Sequence, residues 1–391
     1  MTLPAEFSRF PKEWRVLPFL DAVADATGGN AKIKVEDYLE AGVLPIVDQG
    51  QELFNGYTDE PELACSTELP AIVFGDHTRR FKLIEEPFAL GADGAKLLKP
   101  KEKFDPKFLY YYLNQLRIES AGYSRHYKFL KETYVPVPPL ATQQHIARVL
   151  EQADQLRKQA QQMESELNQL AQSLFLEMFG DPVVNPKAWD IAELGTLVGI
   201  TSGATPSKSS KRFWEGSFPW VSPKDMKKTE IDDAIDHINE CVFNESNLKK
   251  IERDSILIVV RGMILAHTVP LAITTAPVAI NQDIKALRLI DPSRVTPRYL
   301  LALLVSMHDK ILSIASTAAH GTKRIETGDL CNLRVPIPPM RVQQKYCDIE
   351  ANLRKQAQQA NDAASHYEFL FQSLMQRAFN GELTAPERKA A

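Results

Sequence analysis

The sequence predicts an α+β chain of two globular domains separated by two long antiparallel coiled-coil helices, an internal repeat with pseudo-two-fold symmetry. Three observations predict it. A proline-rich segment occurs twice, 200 residues apart, as VPVPPLATQQ (Val135–Gln144) and VPIPPMRVQQ (Val335–Gln344), with six of ten letters identical. Each copy precedes a long polar stretch whose apolar residues recur in steps of three and four. Each follows a mixed block of short apolar runs and Gly/Pro turns. A chain of 391 residues has room for two such domains.

The first block opens at Trp14 with WRVLPFLDAVADATG and the second at Trp189 with WDIAELGTLVGITSG, both reaching a glycine (Gly28, Gly203) at the same spacing. PIV from Pro45 and PWV from Pro219 come next, then the apolar strands AIVFGD from Ala71 and ILIVVRG from Ile256. Later each block has a short helix opening on proline, DPKFLYYYL from Asp105 and TPRYLLALL from Thr296. Short strands bounded by Gly and Pro, with few helices, indicate α+β domains.

Each hinge blocks helix by its prolines and then permits one, because proline is tolerated in a first helical turn. Ile146, Val149, Ala153, Leu156, Ala160, Met163, Leu167, Leu170 and Leu174 then form an a/d seam of four heptads. Adding 200 gives Tyr346, Ile349, Leu353, Gln356, Ala360, Ala363, Tyr367, Leu370 and Leu374, with Gln356 the one polar break. LRKQAQQ competes with this register, since it recurs at Leu156 and Leu353 with an offset of 197, but both ends of the stretches agree on 200. Each helix should stop at a glycine, Gly180 or Gly381. Leu140 to Phe179 is 40 residues, roughly 60 Å of helix, longer than helices of globular domains usually run. Two copies of one unit pair most simply about a two-fold axis, which makes the long helices antiparallel. The expected boundaries are 1–134 and 181–334 for the globular domains. Residues 135–180 hold the first hinge and long helix, and 335–391 the second with a C-terminal tail.

Charge gives no general case for a polyanionic partner. Net charge is −4; residues 1–134 hold 17 Lys and Arg against 21 Asp and Glu, and residues 181–334 hold 19 against 18. Any contact with nucleic acid must come from local basic loops. The strongest apolar run, ILIVV at Ile256–Val260, is strand-sized, far short of the roughly 20 residues that span a bilayer. MTLPAEFSRFPKEW has no apolar signal core, so a cytoplasmic location without membrane association is expected. Cys65, Cys241, Cys331 and Cys347 are scattered without CxxC spacing and are expected to be reduced, neither disulfides nor metal ligands.

Catalytic patterns are missing. There is no P-loop, GxSxG elbow, HExxH helix or GxGxxG turn ahead of a helix, and the eight histidines are dispersed. Methyltransferases acting on adenine amino groups usually carry an Asn/Asp-Pro-Pro-aromatic loop, whereas the double prolines here follow Val137 and Ile337. The expectation is a binding protein, not an enzyme, without catalytic residues, metal or cofactor.

Basic loops recur at corresponding places. GYSRHYK (Gly122–Lys128, with Arg125, His126 and Lys128) and HGTKR (His320–Arg324, with Lys323 and Arg324) each lie shortly ahead of a hinge. GDHTRR (Gly75–Arg80, with His77, Arg79 and Arg80) and VRG (Val260–Gly262, with Arg261) follow the corresponding strands. The second block adds SKSSKR (Lys208, Lys211, Arg212) and SPKDMKK (Lys224). Gln49 in VDQGQ and Gln282 in INQD supply amides. Arg grips guanine bidentately, Gln or Asn grips adenine, and Lys or Ser holds phosphates. Gln282 as a satisfied structural amide has equal weight.

The hinge pattern P-P-L-x-x-Q-x-x-I (Pro138, Pro139, Leu140, Gln143, Ile146) resembles that of the specificity subunits of Type I restriction–modification enzymes. SGATPSKSSKRFWEGSFPWVSPKDM (Ser202–Met226) looks like the start of that family's target recognition domains, with a G-x-T-P segment followed by an aromatic and W-V-S. LPIVDQG with GYTDE (Gly56–Glu60) looks like another subtype of the domain. The first block departs from the pattern, having TGGNAK at Thr27 in place of G-x-T-P, and the second hinge has Met340 and Tyr346 where Leu and Ile are usual.

The resemblance implies a non-catalytic specificity subunit whose two target recognition domains each read one half of a bipartite site in double-stranded DNA. It implies two partner modification subunits that methylate adenine, and motor–nuclease restriction subunits. A coiled-coil scaffold that assembles proteins without reading DNA is the rival; it would share the helices but lack paired basic loops. A fragment of a fused methyltransferase would need a cofactor motif.

Overall fold

The computed structural model describes residues 10–383 except 93, 102–103, 120–121, 123–124 and 318–321. It divides into two compact units, one of Met1–Gln162 with Asn361–Ala391 and the other of Met163–Ala360. Both division points fall inside a long helix, so each unit holds one globular domain, the start of the helix that follows it and the end of the other long helix.

In the first unit, Arg15–Pro18 pairs antiparallel with the hinge strand Tyr134–Val137. An antiparallel sheet runs in the order Val23–Asp25, Ala95–Pro100, Ala71–Gly75, Phe81–Ile84. A second sheet of Lys32–Ile33, Ala89–Gly91, Leu44–Val47 and Gly56–Thr58 has a parallel pair at its centre, Ile46 opposite Ala89. In the second unit, Asp190–Glu193 pairs with the hinge strand Arg334–Ile337. Its larger sheet repeats the order as Val198–Ser202, Ile284–Leu289, Ile256–Val259, Leu271–Thr274, with Glu230–Ile231 added at the edge. Its smaller sheet keeps the parallel pair, Trp220 opposite Ala279. The mixed α+β construction is thus built twice.

The long helices span Leu140–Phe179 and Met340–Phe379. Each ends at a glycine with positive φ, Gly180 at 78° and Gly381 at 79°, a left-handed stop that a side chain would resist. A Cβ at Gly381 would also lie 2.3 Å from Pro11 Cδ.

They run antiparallel in each unit. In the first, Ile146, Leu150 and Ala153 share a core with Phe371, Met375 and Phe379, while Arg157, further along, pairs with the earlier Glu368 at 2.8 Å. In the second, Phe175 and Phe179 pack on Tyr346 with ring centroids 5.7 and 5.3 Å apart.

The buried stripe repeats at an offset of 200 but differs from the sequence seam in its second position. Leu150, Arg157, Glu164, Ala171 and Met178 line it, along with Ile146, Ala153, Ala160, Leu167 and Leu174. Leu156, Met163 and Leu170, expected inside, are 42%, 55% and 51% exposed. Steps of three and of four from a shared position give adjacent ridges. Packing chooses the ridge that carries Arg157, whose carboxylate partners and 5.0 Å contact over the Phe371 ring hold it in place.

The join between domain and helix is built the same way twice. Asp105 caps Pro106–Gln115 by accepting from Phe108 N at 3.0 Å, and Thr296 caps Pro297–Ser306 by accepting from Tyr299 N at 3.2 Å. The cap residues' own N–H groups go to buried glutamines one turn into the long helices. Gln143 Oε1 accepts from Asp105 N at 2.9 Å while its Nε2 donates to Pro138 O at 2.9 Å. Gln343 Oε1 accepts from Thr296 N at 2.9 Å, and its Nε2 donates to Pro338 O and Arg294 O at 2.8 and 3.0 Å. These side chains are 1% and 0% exposed.

An ion pair crosses each join with the charges exchanged. Lys107 of the first short helix bridges Glu85 and Glu151, which raise its pKa through hydrogen bonds, Glu151 foremost. In the second unit Glu230 takes Arg298 from the short helix and Arg354 from the long one. Aromatic packing adds the far helix end: Phe108 and Tyr112 meet Phe379 at 5.6 and 5.4 Å, and Tyr299 meets Phe179 at 4.8 Å.

Two outcomes follow. Gln143→Leu or Gln343→Leu strands a buried N–H and at least one carbonyl and should cost about 2–4 kcal/mol, measured by urea unfolding of each variant. Phe379→Ala should cost about 3–5 kcal/mol. Hydrogen exchange should then rise at Phe108–Leu113, over 260 residues away in sequence, with exchange at Tyr299–Leu304 unchanged.

Candidate nucleic-acid interface

In the first unit the basic loops meet around Asp76. The turn after Ala71–Gly75 is tight: Arg79 adopts φ 61° and donates its backbone N–H to Gly75 O at 2.7 Å, and Gly75 N donates to Arg80 O at 2.8 Å. Asp76, 2% exposed, accepts from Tyr127 N at 2.6 Å through Oδ1, and its carbonyl accepts from His126 N at 3.0 Å. Gln49 Oε1 accepts from His77 N at 3.3 Å. Residues from Gln49, from 75–80 and from 125–128 thus share one rim, with the side chains of Arg79, Arg80, Arg125 and Lys128 exposed on it.

Two predicted residues serve the rim from within. His126 is 1% exposed and its Nδ1 lies 2.9 Å from Asp76 O, so its ring fastens the loop from inside. Gln49 holds His77 and packs against Gly94, where any Cβ would lie 2.2 Å from Gln49 Oε1. Arg79 Nη1 donates to Ile118 O at 3.0 Å, and Lys128 Nζ lies 4.8 Å over the Phe129 ring. Beneath the rim, Asp48 accepts from Gly50 N at 2.7 Å and faces Lys82 Nζ at 3.9 Å. Burial pushes the Lys82 ammonium pKa down, and Asn55 Oδ1 accepts from it at 3.0 Å. Tyr123 and Ser124 of GYSRHYK, and His320 and Gly321 of HGTKR, lie outside the described residues.

The second unit carries two basic groups. Arg261–Gly262 pairs with Lys323–Arg324, which pairs with Ser316–Thr317, placing Arg261 opposite Arg324. Like charges directly opposite in a ladder repel; Glu326, 3.0 Å from Arg324 Nε, offsets part of this. Lys285 joins the group, a residue sequence reasoning missed because it sits inside a strand. Its pKa is lowered by burial and then by the charge of Arg324, while its Nζ donates to Ser202 Oγ at 3.0 Å.

The other group surrounds a cleft of about 820 Å³ lined by Thr205, Lys208, Lys211, Trp214, Trp220 and Gln282, among others. The tryptophans meet edge to face at 5.1 Å. They too were missed, although aromatics interleaved with lysines in KSSKRFWEGSFPW are a signal for nucleic acid. Arg212 is held by Glu245 and stacks 5.2 Å over Phe213. Lys224 pairs with Asp236 at 2.7 Å, the hydrogen bond that chiefly raises its pKa. Gln282 follows Ala279–Ile280 and Gln49 follows Leu44–Val47, so the two amides come from non-equivalent strands of the two smaller sheets. Among the described residues no group of three or more His, Cys, Asp or Glu could hold a metal, and no helix is long and apolar enough to cross a membrane.

The chain as a whole has counterparts among known proteins. The family model for the Type I restriction modification DNA specificity domain matches residues 11–169 and 186–382. The Escherichia coli Type I restriction enzyme EcoR124I/EcoR124II specificity subunit is 29% identical over 333 residues, covering 81% of each chain. The MjaIX specificity subunit of Methanocaldococcus jannaschii is 23% identical over 387 residues, covering 87% of each. The crystal structure of a Type-I restriction-modification S subunit from M. genitalium covers 99% of this chain and 98% of its own, with TM-score 0.66 at 15% identity, a likeness of fold. A chain from a structural study of complex assembly and conformational transition in the type I R-M system covers 96% and 99%, with TM-score 0.54 at 15% identity. With the family model matching both halves, this chain belongs to the Type I restriction–modification DNA specificity family, as a specificity subunit.

Proposed function

We propose that this chain reads an asymmetric, bipartite site in double-stranded DNA and holds a modification and restriction complex on it. Residues 1–134 and 181–334 are the two readers, one per half-site. Residues 135–180 and 335–391 supply the hinges and long helices that fix the unread gap. Two modification subunits, which methylate adenine, dock on the helices and domains, and restriction motor–nuclease subunits join them. The chain itself contributes recognition and no catalytic group.

One observation carries this reading: the same construction ends in two differently furnished basic rims. The larger sheets keep one strand order, yet the first unit offers Arg79, Arg80, Arg125 and Lys128 on one rim, and the second Lys208 and Lys211 in one group and Arg261, Lys323 and Arg324 in another. Equal scaffolds with unequal loops suit two different short elements. The summed charge of −4 leaves affinity to these local cations, which release counterions from phosphates. His77 and the internally paired Arg212 and Lys224 stand beside them on the rims.

Replacing residues 181–334 by the same segment of a relative should change one half of the methylated site and leave the other half and the gap intact. Methylation mapping of the hybrid complex reads this directly, and a site that changes in both halves, or in neither, refutes the two-reader arrangement. In the assembled complex, Lys323→Ala with Arg324→Ala should weaken DNA binding. A phosphate role lowers the salt slope without altering the site, whereas a base role relaxes one position by about 1–3 kcal/mol. Calorimetry on the isolated chain should detect no binding of S-adenosylmethionine.

A further inference from the structure

The cleft of the second unit has a chemistry more specific than a basic rim. Of the two neighbouring amides in INQD, Asn281 is committed internally. It is 5% exposed, its Nδ2 donates to Asp283 Oδ2 at 3.1 Å and its Oδ1 accepts from Asp283 N at 3.1 Å. Gln282 is exposed and lines the cleft. Thr205 Oγ1 donates to its Oε1, and among the described residues its side chain makes no other hydrogen bond. That bond occupies one acceptor site on Oε1 and tethers the Gln282 side chain. A second lone pair on the oxygen and the hydrogens of Nε2 remain, an acceptor beside a donor.

The walls support one kind of guest. Trp220 Nε1 donates to Ala204 O at 3.0 Å and Trp214 Nε1 to Ser207 O at 3.3 Å, so both indole donors are turned to the protein; Trp220 is buried behind the wall, and the half-buried Trp214 ring offers apolar surface. Asp236 in the cleft is matched by Lys224. Lys208 and Lys211 are exposed beside it, outnumbering the remaining carboxylate, Glu215.

We propose that this cleft takes the major-groove edge of an A·T base pair, with Gln282 gripping the adenine, Trp214 against the thymine methyl group, and Lys208 and Lys211 on neighbouring phosphates. Adenine presents N7 as acceptor beside the N6 donor, the complement of a glutamine amide; guanine presents two acceptors and cytosine only a donor. Thr205 is a positioning residue that acts through Gln282. The proposal rests on the DNA-reading role given above and names the element of one half-site.

The test uses the complex of this chain with its modification subunits, with methylated positions mapped by sequencing. Gln282→Ala should lower discrimination at one A·T pair of the half-site read by the second domain, by about 5- to 150-fold. The other half-site and the gap should be unchanged. Gln282→Glu, an acceptor only, should shift preference at that position toward cytosine. Thr205→Val should broaden the same position, and Thr205→Ser, which keeps the hydroxyl, should restore it. If the wild-type complex maps to a bipartite site and Gln282→Ala retains the same discrimination at every position, the cleft assignment is overturned and the specificity role stands. A wild-type complex with no sequence preference would instead refute the specificity role itself.

Discussion

The architecture depends on a glutamine side chain buried where each domain meets its long helix. A hinge of prolines cannot donate backbone hydrogen bonds, and the N-terminus of a capped helix leaves N–H groups without partners. Gln143 and Gln343 meet both needs at once, accepting from the cap residue and donating to the hinge carbonyl. A shorter amide would not span the two, and a carboxylate could not donate. With this bond in place, the helix starts at a set angle to the short helix of its domain, and the Lys107 and Glu230 ion pairs reinforce that angle at modest strength because they are partly exposed.

Much of this was legible before any coordinates. The hinge, its glutamine, the stop glycines and the 200-residue offset are local chemistry, and local chemistry repeats in the letters. The inner face of the long helices was not legible. Leu156, Met163 and Leu170 are the larger apolar residues, and periodicity alone favours them; Arg157 reaches the interior only because Asp154 and Glu368 are there to receive it. The burial of His126 was not legible either, for a related reason. A histidine among arginines reads as surface, yet the carbonyl of Asp76, distant in sequence, draws its ring inward. The tryptophan-lined cleft stayed hidden because strands more than fifty residues apart assemble it.

The two units also show how one scaffold carries different chemistry. Strands supply the fixed frame, while the chemically distinctive groups lie mainly on turns whose backbone is tied down from below: Asp48 and Asp76 in the first unit, Asn281 and Asp283 in the second. Asp48 and Asp76 accept backbone N–H groups from within, and in the second unit the Asn281 amide oxygen does so for Asp283 N.

Each domain is closed by the far end of a helix that belongs, in chain order, to the other. Phe371 and Phe379 complete the core around Phe108 and Tyr112 of the first unit, after Met163–Ala360 has intervened. On a ribosome adding about 5–20 residues per second, this is a delay on the order of 10–40 s during which the first domain has emerged but its aromatic face stays open. The usual order of biosynthesis, in which an N-terminal domain folds before the next is made, is therefore unavailable to this chain. Its first domain matures last, and a premature stop codon late in the message damages the part of the protein that was translated first.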